Sequence, residues 1–177
     1  DEGEYRLFAY AADQQGNAAH ANIPFRVTSS FAQPRSDLVA DEVMAVAYSG
    51  FRAGQHPDRG QGEINPTDAQ VLEDLELLLA HGFGLIRLYD SGSNSRSVLE
   101  LIRQHDLPLK VLLGIWLKAE VSNHEGCPWL EQEIPAAELA ANTQSNAIEI
   151  QGGIALAKEF ESIVTAVNVG NEALVEW

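Results

Sequence analysis

Short apolar runs alternate with longer amphipathic segments over most of the chain, and this alternation limits the fold more than any other feature. The apolar runs contain few polar residues, as expected for strands buried on both faces, and they cover residues 43–49, 84–90, 109–116 and 163–170. The segments between them predict helices over residues 65–81, 95–105 and 145–161. Strands that alternate with helices predict a parallel sheet with right-handed crossovers, so the fold class is α/β.

Individual residues mark the expected ends of these helices. Asn65 suits the N-cap of the first helix and Pro66 its first position. Gly82 suits the left-handed position that follows the same helix. Within the third helix, Gly152 and Gly153 are each expected to cost about 1 kcal/mol relative to alanine.

Two parallel α/β architectures compete, the doubly wound open sheet and the (β/α)8 TIM barrel. A doubly wound nucleotide-binding fold carries a glycine-rich phosphate loop after its first strand, and residues 48–57 have neither of the usual spacings. Four strands lie within residues 41–177, and eight at that spacing would need about 274 residues, close to the ~250 of a typical barrel. We therefore predict that residues 42–177 form the first four β/α units of a TIM barrel, which is the N-terminal half of a truncated domain.

The first 41 residues follow a different pattern. Residues 4–12 and 19–27 alternate between polar and apolar side chains, and Gly16 and Asn17 between them suit positive φ, so residues 1–28 predict a β-hairpin. The turn sequence resembles that between the last two strands of a bacterial immunoglobulin-like domain, which implies that the hairpin is part of such a domain. A hairpin that decorates the following domain is the alternative. Residues 29–41 are polar and contain Pro34, so they predict a linker.

Charge and cysteine content exclude several classes of partner. Eleven basic and 26 acidic residues give a net charge of −15, which repels phosphate backbones and anionic lipid, so neither nucleic acid nor membrane insertion is expected. The single cysteine, Cys127, has no partner for an internal disulfide. Because the five histidines are dispersed and His124 with Cys127 would form only half of a metal site, no metal or cofactor is predicted.

Polar and aromatic side chains follow the ends of the predicted strands, and in a barrel these ends share one mouth. They are Tyr48, Arg87, Tyr89, Trp116, Asn171 and Glu172. Aromatic rings stack on sugar rings, and a buried carboxylic acid can protonate a glycosidic oxygen. Each residue alone has a structural alternative: the tyrosines and Trp116 could cap the core, and a buried Arg87 would need a carboxylate, for which Glu172 is a candidate. In the first loop, Gln55, His56 and Asp58 could contact sugar, although a surface role is more typical of such residues.

Three of the strands carry motifs that resemble glycoside hydrolase family 17. The motifs read Ile-Arg-Leu-Tyr at residues 86–89, Val-Leu-Leu-Gly-Ile at 111–115 and Val-Asn-Val-Gly-Asn-Glu-Ala at 167–173. Residues 47–55 are similar to the bacterial members. The resemblance implies a β-1,3-glucanase or a related transglycosylase with β-glucan as substrate. It also implies Glu172 as general acid/base, Asn171 as the ligand of the sugar 2-hydroxyl, and Tyr89 as the floor of the reactive subsite.

The same resemblance implies that part of the catalytic machinery is missing. The family retains anomeric configuration, so it needs a second carboxylate as nucleophile, and in the family this glutamate follows the seventh strand. The chain has no counterpart, so we expect that it is inactive without the C-terminal half of the barrel. The resemblance also implies a location outside the cytoplasm, whether secreted, periplasmic or membrane-associated. A non-catalytic carbohydrate-binding module and an unrelated parallel α/β domain are the alternatives.

Overall fold

A computed structural model describes residues 3–27, 38–39, 43–58, 62–122 and 132–171. The chain divides into two compact units, Asp1–Asp37 and Leu38–Trp177. The candidate acid Glu172 lies outside the described residues. The predicted linker, residues 29–41, also lies outside them, except for residues 38–39.

The first unit is the expected antiparallel hairpin of β1 (Gly3–Ala12) and β2 (Ala18–Val27). Gly16 has a φ of 86° as predicted, but Asn17 does not have positive φ, which corrects the prediction. Asn17 is instead held by Asp13, whose carboxylate accepts hydrogen bonds from its backbone and side-chain N–H groups at 2.9 and 2.7 Å. These hydrogen bonds, the side-chain one foremost, lower the pKa of Asp13.

The two faces of the hairpin differ in polarity. One face carries apolar residues from both strands, and Tyr5 and Phe25 stack there with ring centroids 5.7 Å apart. On the other face, Arg26 forms an ion pair with Glu4. Leu7 and Ile23, paired on the apolar face, are 60% and 61% exposed, so within the first unit this face has no cover among the described residues.

The described residues of the second unit form a four-stranded parallel sheet with three helices, which confirms the predicted α/β class and parallel sheet. The strands lie in the order β3 (Met44–Ala47), β4 (Phe83–Arg87), β5 (Lys110–Ile115) and β6 (Val164–Val169). The helices are α1 (Asp68–Ala80), α2 (Ser93–Gln104) and α3 (Ala136–Glu159). The core between helices and sheet is built mainly from Val71, Leu75, Ile86, Leu88, Val98, Leu99, Ile102, Leu109, Val111, Leu113, Leu156 and Phe160.

Helix α1 begins at a different residue from the one predicted. Its N-cap is Thr67, not Asn65, because the Thr67 hydroxyl and the Gln70 side chain bond each other's backbone N–H groups in a capping box. Gly82 follows the helix with a φ of 84°, as the sequence predicted.

Helix α3 is longer than predicted, because it begins at Ala136 after Pro135 and not near residue 145. The two glycines inside it allow close packing. A Cβ at Gly152 would lie 2.7 Å from Ser91 Oγ, and one at Gly153 would lie 2.7 Å from Ile115 Cγ1. The helix therefore approaches the ends of β4 and β5 more closely than side chains at these positions would allow.

The outer strands of the sheet remain open on one side within the described residues. Strand β3 has β4 as its hydrogen-bonded neighbour, and β6 has β5. Val167 and Val169 on β6 are 40% and 63% exposed. In the described parts of the chain, the helices are too short or too polar to cross a membrane.

Candidate functional site

A cleft of about 750 Å³ lies at the carboxyl ends of β3, β4 and β5. Strand ends, the loop between β3 and α1, the start of α2 and one face of α3 all contribute to it. The residues that line it are Tyr48, Ser49, Phe51, Gln55, His56, Pro57, Asp58, Glu63, Asn65, Leu88, Tyr89, Asp90, Gly92, Asn94, Ser95, Trp116, Lys118, Ser145, Asn146 and Glu149. The wall thus combines aromatic rings with amide and carboxylate groups.

The strand-end residues singled out from the sequence divide into two groups. Tyr48, Tyr89 and Trp116 line the cleft, and the Trp116 side chain is accessible because the residue is 44% exposed. Arg87 and Asn171 lie beside the cleft, joined to each other by a hydrogen bond. Glu172 follows Asn171 directly in the sequence but lies outside the described residues.

Arg87 connects two strand ends through its guanidinium group. Its Nη2 donates to Asn171 Oδ1 at 2.8 Å, and its Cζ lies 4.8 Å from the centroid of the Tyr89 ring. A cation at this distance from an aromatic face is attracted by the ring. Among the described residues, Arg87 therefore contacts the amide of Asn171 and the ring of Tyr89. Its Nε is buried without a hydrogen-bond partner among the described residues.

Tyr48 is fixed from outside the cleft by helix α1. Its hydroxyl donates to Asp74 Oδ2 at 3.0 Å, and Arg52 donates to both Asp74 oxygens, at 3.0 and 2.8 Å. Burial, and after it the Asp74 carboxylate, raises the pKa of Tyr48 well above its ordinary value. The hydrogen bond with Asp74 raises the pKa of Arg52 as well. Tyr48 is therefore a neutral phenol with one fixed orientation.

The loop between β3 and α1 forms one wall of the cleft. Gln55, His56 and Asp58, for which a surface role was the more typical interpretation, all line the cleft. The backbone groups of His56 and Ile64 pair in an antiparallel bridge, with hydrogen bonds of 3.0 and 2.9 Å, which closes the loop.

Two amide side chains in the cleft wall were not predicted. Asn65 donates to Ser93 Oγ at 2.7 Å, and Ser93 in turn donates to Glu63. Asn94 donates to the carbonyl oxygen of Ser49 at 3.4 Å. The Oδ1 atoms of Asn65 and Asn94 are buried and accept no hydrogen bond within the described parts of the chain.

Two polar residues of α3 were also missed, and both hold the segments that follow the strands. Asn146 bonds the backbone N–H and the carbonyl of Lys118, at 2.8 and 2.9 Å. Glu149 accepts from the backbone N–H groups of Ser91 and Trp116. The sequence offered one signal, the Gly152–Gly153 pair one turn beyond Glu149, which indicates that this helix face meets another element closely.

The described residues contain no group of three or more histidine, cysteine, aspartate or glutamate side chains that could hold a metal ion. The carboxylates that line the cleft accept hydrogen bonds from the protein: Asp58 from Gly62 N, Glu63 from Ser93 Oγ, and Glu149 from Ser91 N and Trp116 N. Asp90 Oδ1 accepts from Gly92 N and Ser95 Oγ at 2.9 and 3.1 Å, so it fixes the turn into α2.

Comparison with known proteins gives a similarity to a solved structure. The chain resembles the crystal structure of an endo-laminarinase from Formosa Hel1_33_131, with 26% sequence identity and a TM-score of 0.56. The similarity covers 76% of this chain and 32% of that chain, so this chain spans about a third of the endo-laminarinase's length. No family model matches the chain, and no curated protein matches it.

Proposed function

We propose that this chain is part of a retaining glycoside hydrolase of family 17 that acts on β-1,3-glucan. The observation that carries the proposal is the cleft at the carboxyl ends of the strands, where Tyr48, Tyr89 and Trp116 meet amide side chains. The similarity to an endo-laminarinase supports the substrate class, because laminarin is a β-1,3-glucan.

The composition of the cleft suits a neutral, hydroxyl-rich polymer. Tyr89 and Trp116 supply aromatic faces for sugar rings, while Asn65 and Asn94 supply amide groups for hydroxyls. The acidic charge of the chain opposes phosphorylated ligands but costs nothing with an uncharged glucan.

Glu172 is the proposed general acid/base, and Asn171 the ligand of the sugar 2-hydroxyl. Asn171 Oδ1 already accepts from Arg87, which fixes the orientation of the amide. Its Nδ2 is then the group directed to a substrate oxygen. A retaining mechanism also needs a nucleophilic carboxylate about 5 to 5.5 Å from the acid. We propose that this second carboxylate comes from outside residues 1–177.

The domain organisation is part of the same proposal. Residues 42–177 would supply the first four β/α units of a TIM barrel, with the other units supplied by further sequence. Three features support this: β3 and β6 each have one hydrogen-bonded neighbour among the described residues, Val167 and Val169 are exposed on β6, and the endo-laminarinase is about three times as long as the matched part.

The hairpin is proposed to belong to an immunoglobulin-like domain, with residues 29–41 as the linker. The exposed apolar pairs on one face, such as Leu7 with Ile23, support this, since a strand pair needs further sheet to bury such a face.

Binding of laminarin tests the substrate class directly. Isothermal titration calorimetry of the purified chain with laminarin, and with cellohexaose as the β-1,4-linked comparison, should give the tighter complex with laminarin. Trp116→Ala should weaken the complex about tenfold or more, because an aromatic platform is lost. The matched control is Phe8→Ala, which removes an exposed ring of the hairpin, 70% exposed, and should leave the affinity unchanged. Equal affinity of the Trp116→Ala and parent chains would refute the cleft as the glucan site.

Turnover tests the catalytic assignment in the complete gene product. Glu172→Gln should abolish laminarin hydrolysis and leave binding within about twofold, since glutamine cannot supply the proton. Proton NMR of the first product should show the β-anomer, and product size separates hydrolysis from glycosyl transfer. A complete protein that binds laminarin but does not convert it would be a carbohydrate-binding module instead.

A further inference from the structure

Among the described residues, the carboxylate of Glu149 accepts three hydrogen bonds, all of them from the two segments that follow β4 and β5. Its Oε1 accepts from Ser91 N at 2.7 Å and from Trp116 N at 3.1 Å, and its Oε2 accepts from Ser91 Oγ at 2.7 Å. Ser91 follows the end of β4 and Trp116 follows β5 directly. One side chain of α3 therefore bonds the segments that follow two neighbouring strands.

The same helix face makes two further close contacts with these segments. Gly152 lies three residues after Glu149, and a Cβ there would be 2.7 Å from Ser91 Oγ. Asn146, three residues before Glu149, bonds both backbone groups of Lys118. Residues three and four apart share a helix face, so Asn146, Glu149, Gly152 and Gly153 form one surface, which we term the α3 docking face.

We propose that Glu149 is a positioning residue, which holds the aromatic residues of the cleft, Tyr89 and Trp116, in the geometry that binds sugar. Trp116 is fixed at its own backbone N–H, and Tyr89 lies two residues before Ser91. Glu149 is itself part of the cleft wall, so a carboxylate at this place suggests a nucleophile at first sight. Both of its oxygens already accept hydrogen bonds from the protein, which assigns it to positioning and not to chemistry.

The proposal rests on the proposed function only where it concerns sugar. Two substitutions of Glu149 distinguish a positioning role from a direct effect of its charge on the ligand. Glutamine keeps Oε1 as acceptor for both backbone N–H groups, and its amide can donate to Ser91 Oγ. The Ser91 hydroxyl can then donate to the backbone carbonyl oxygen of residue 149, which lies 3.1 Å away. Methionine keeps the length of the side chain and a high helix propensity but removes the acceptors. Gln151→Met is the matched control, because Gln151 is an exposed residue of the same helix.

The experiment uses chains in which Trp129→Phe and Trp177→Phe leave Trp116 as the reporter, with laminarin as the probe. We expect that Glu149→Gln and Gln151→Met bind laminarin within about twofold of the parent. Glu149→Met should bind about tenfold more weakly or worse, since misplaced contact groups lose much of their effect. Its Trp116 emission should shift, and the amides of Ser91 and Trp116 should lose protection from hydrogen exchange while amides in the middle of β5 keep theirs.

Each other outcome has a defined meaning. Equal loss in Glu149→Gln and Glu149→Met would overturn the proposal, because the charge would then act on the ligand itself. Unchanged binding and unchanged exchange in Glu149→Met would overturn it as well.

If the parent does not bind laminarin, the proposed function fails. In that case, the positioning role is still supported if the Ser91 and Trp116 amides stay protected in Glu149→Gln and lose protection in Glu149→Met. Equal protection in the two variants overturns the positioning role. If Glu149→Met does not fold, the exchange rates of the Ser91 and Trp116 amides in Glu149→Gln decide, since positioning requires that they stay protected.

Discussion

Arg87 Nη2 donates a hydrogen bond of 2.8 Å to Asn171 Oδ1, which links the ends of β4 and β6 across the intervening strand β5. The middle strand carries Gly114, where a Cβ would lie 2.5 Å from the carbonyl oxygens of Leu88 and Tyr89. The absence of a side chain there lets the end of β4 lie close against β5. The glycine of the Val-Leu-Leu-Gly-Ile motif therefore has a packing role at the edge of the proposed active site.

The Arg87–Asn171 bond should appear as a coupling energy in a double-mutant cycle. Hydrogen bonds to charged groups contribute about 1.5 to 3 kcal/mol, so Arg87→Met and Asn171→Ala together should cost less than the sum of the single changes by about 1 to 3 kcal/mol. Urea unfolding of the four chains gives the values. Strict additivity would mean that the two side chains do not interact in solution.

The phenol of Tyr48 should make stability fall at alkaline pH. Burial, and then Asp74, raises its folded pKa above the unfolded value of 10.0. The folded chain therefore keeps a proton that the unfolded chain releases, so the stabilisation is complete below pH 10 and declines as pH rises above it, by up to about 1.4 kcal/mol per pH unit. Unfolding midpoints between pH 8 and 11.5 measure this decline.

Two variants isolate the contribution of Tyr48. Tyr48→Phe should flatten the decline above pH 10, because the titrating group is gone. Asp74→Asn should reduce it only in part, because burial is the larger cause of the shift and remains. A decline in Tyr48→Phe as steep as in the parent would show that another group is responsible.

Residues that repeat with a regular period allowed the sheet and the helices to be predicted. The apolar runs of the four strands and the helical period within residues 65–81 depend only on local sequence. The structure has these strands and α1 where expected, with Val71 and Leu75 buried. The start of α3 could not be found in this way, because residues 136–141 are mostly alanine and give no apolar period. The N-cap of α1 could have been found, since Thr67 and Gln70 have the spacing of a capping box.

The strand-end part of the site could be predicted, but the part contributed by α3 and the loops could not. Tyr48, Tyr89 and Trp116 line the cleft because parallel strands end at the same edge of a sheet. Glu149 and Asn94 lie in the cleft wall only because helices and loops pack against the strand ends. No local sequence pattern predicts that packing. For Glu172, the assignment stays a prediction from the sequence.

Leu75 should be a large contributor to stability because it is fully buried on α1. Leu75→Ala should lower the free energy of unfolding by about 2 to 5 kcal/mol, through lost burial and the cavity left behind. Leu77→Ala on the same helix is the control, since Leu77 is 58% exposed, and it should change stability by no more than ~0.5 kcal/mol. Equal effects of the two substitutions in urea unfolding would contradict the orientation of α1.

Gly153 should reverse the usual effect of replacing glycine by alanine in a helix. In an exposed helix the change gains about 1 kcal/mol, but here the new Cβ would lie 2.7 and 2.8 Å from Cγ1 and Cδ1 of Ile115, which is 3% exposed. Overpacking of this kind costs about 1 to 3 kcal/mol, so Gly153→Ala should destabilise the chain in urea unfolding. Gln151→Ala, at an exposed position of the same helix, should stay within ~0.5 kcal/mol of the parent. A stabilised Gly153→Ala chain would mean that α3 lies farther from β5 in solution, and the contacts of Glu149 with Ser91 and Trp116 would then be lost as well.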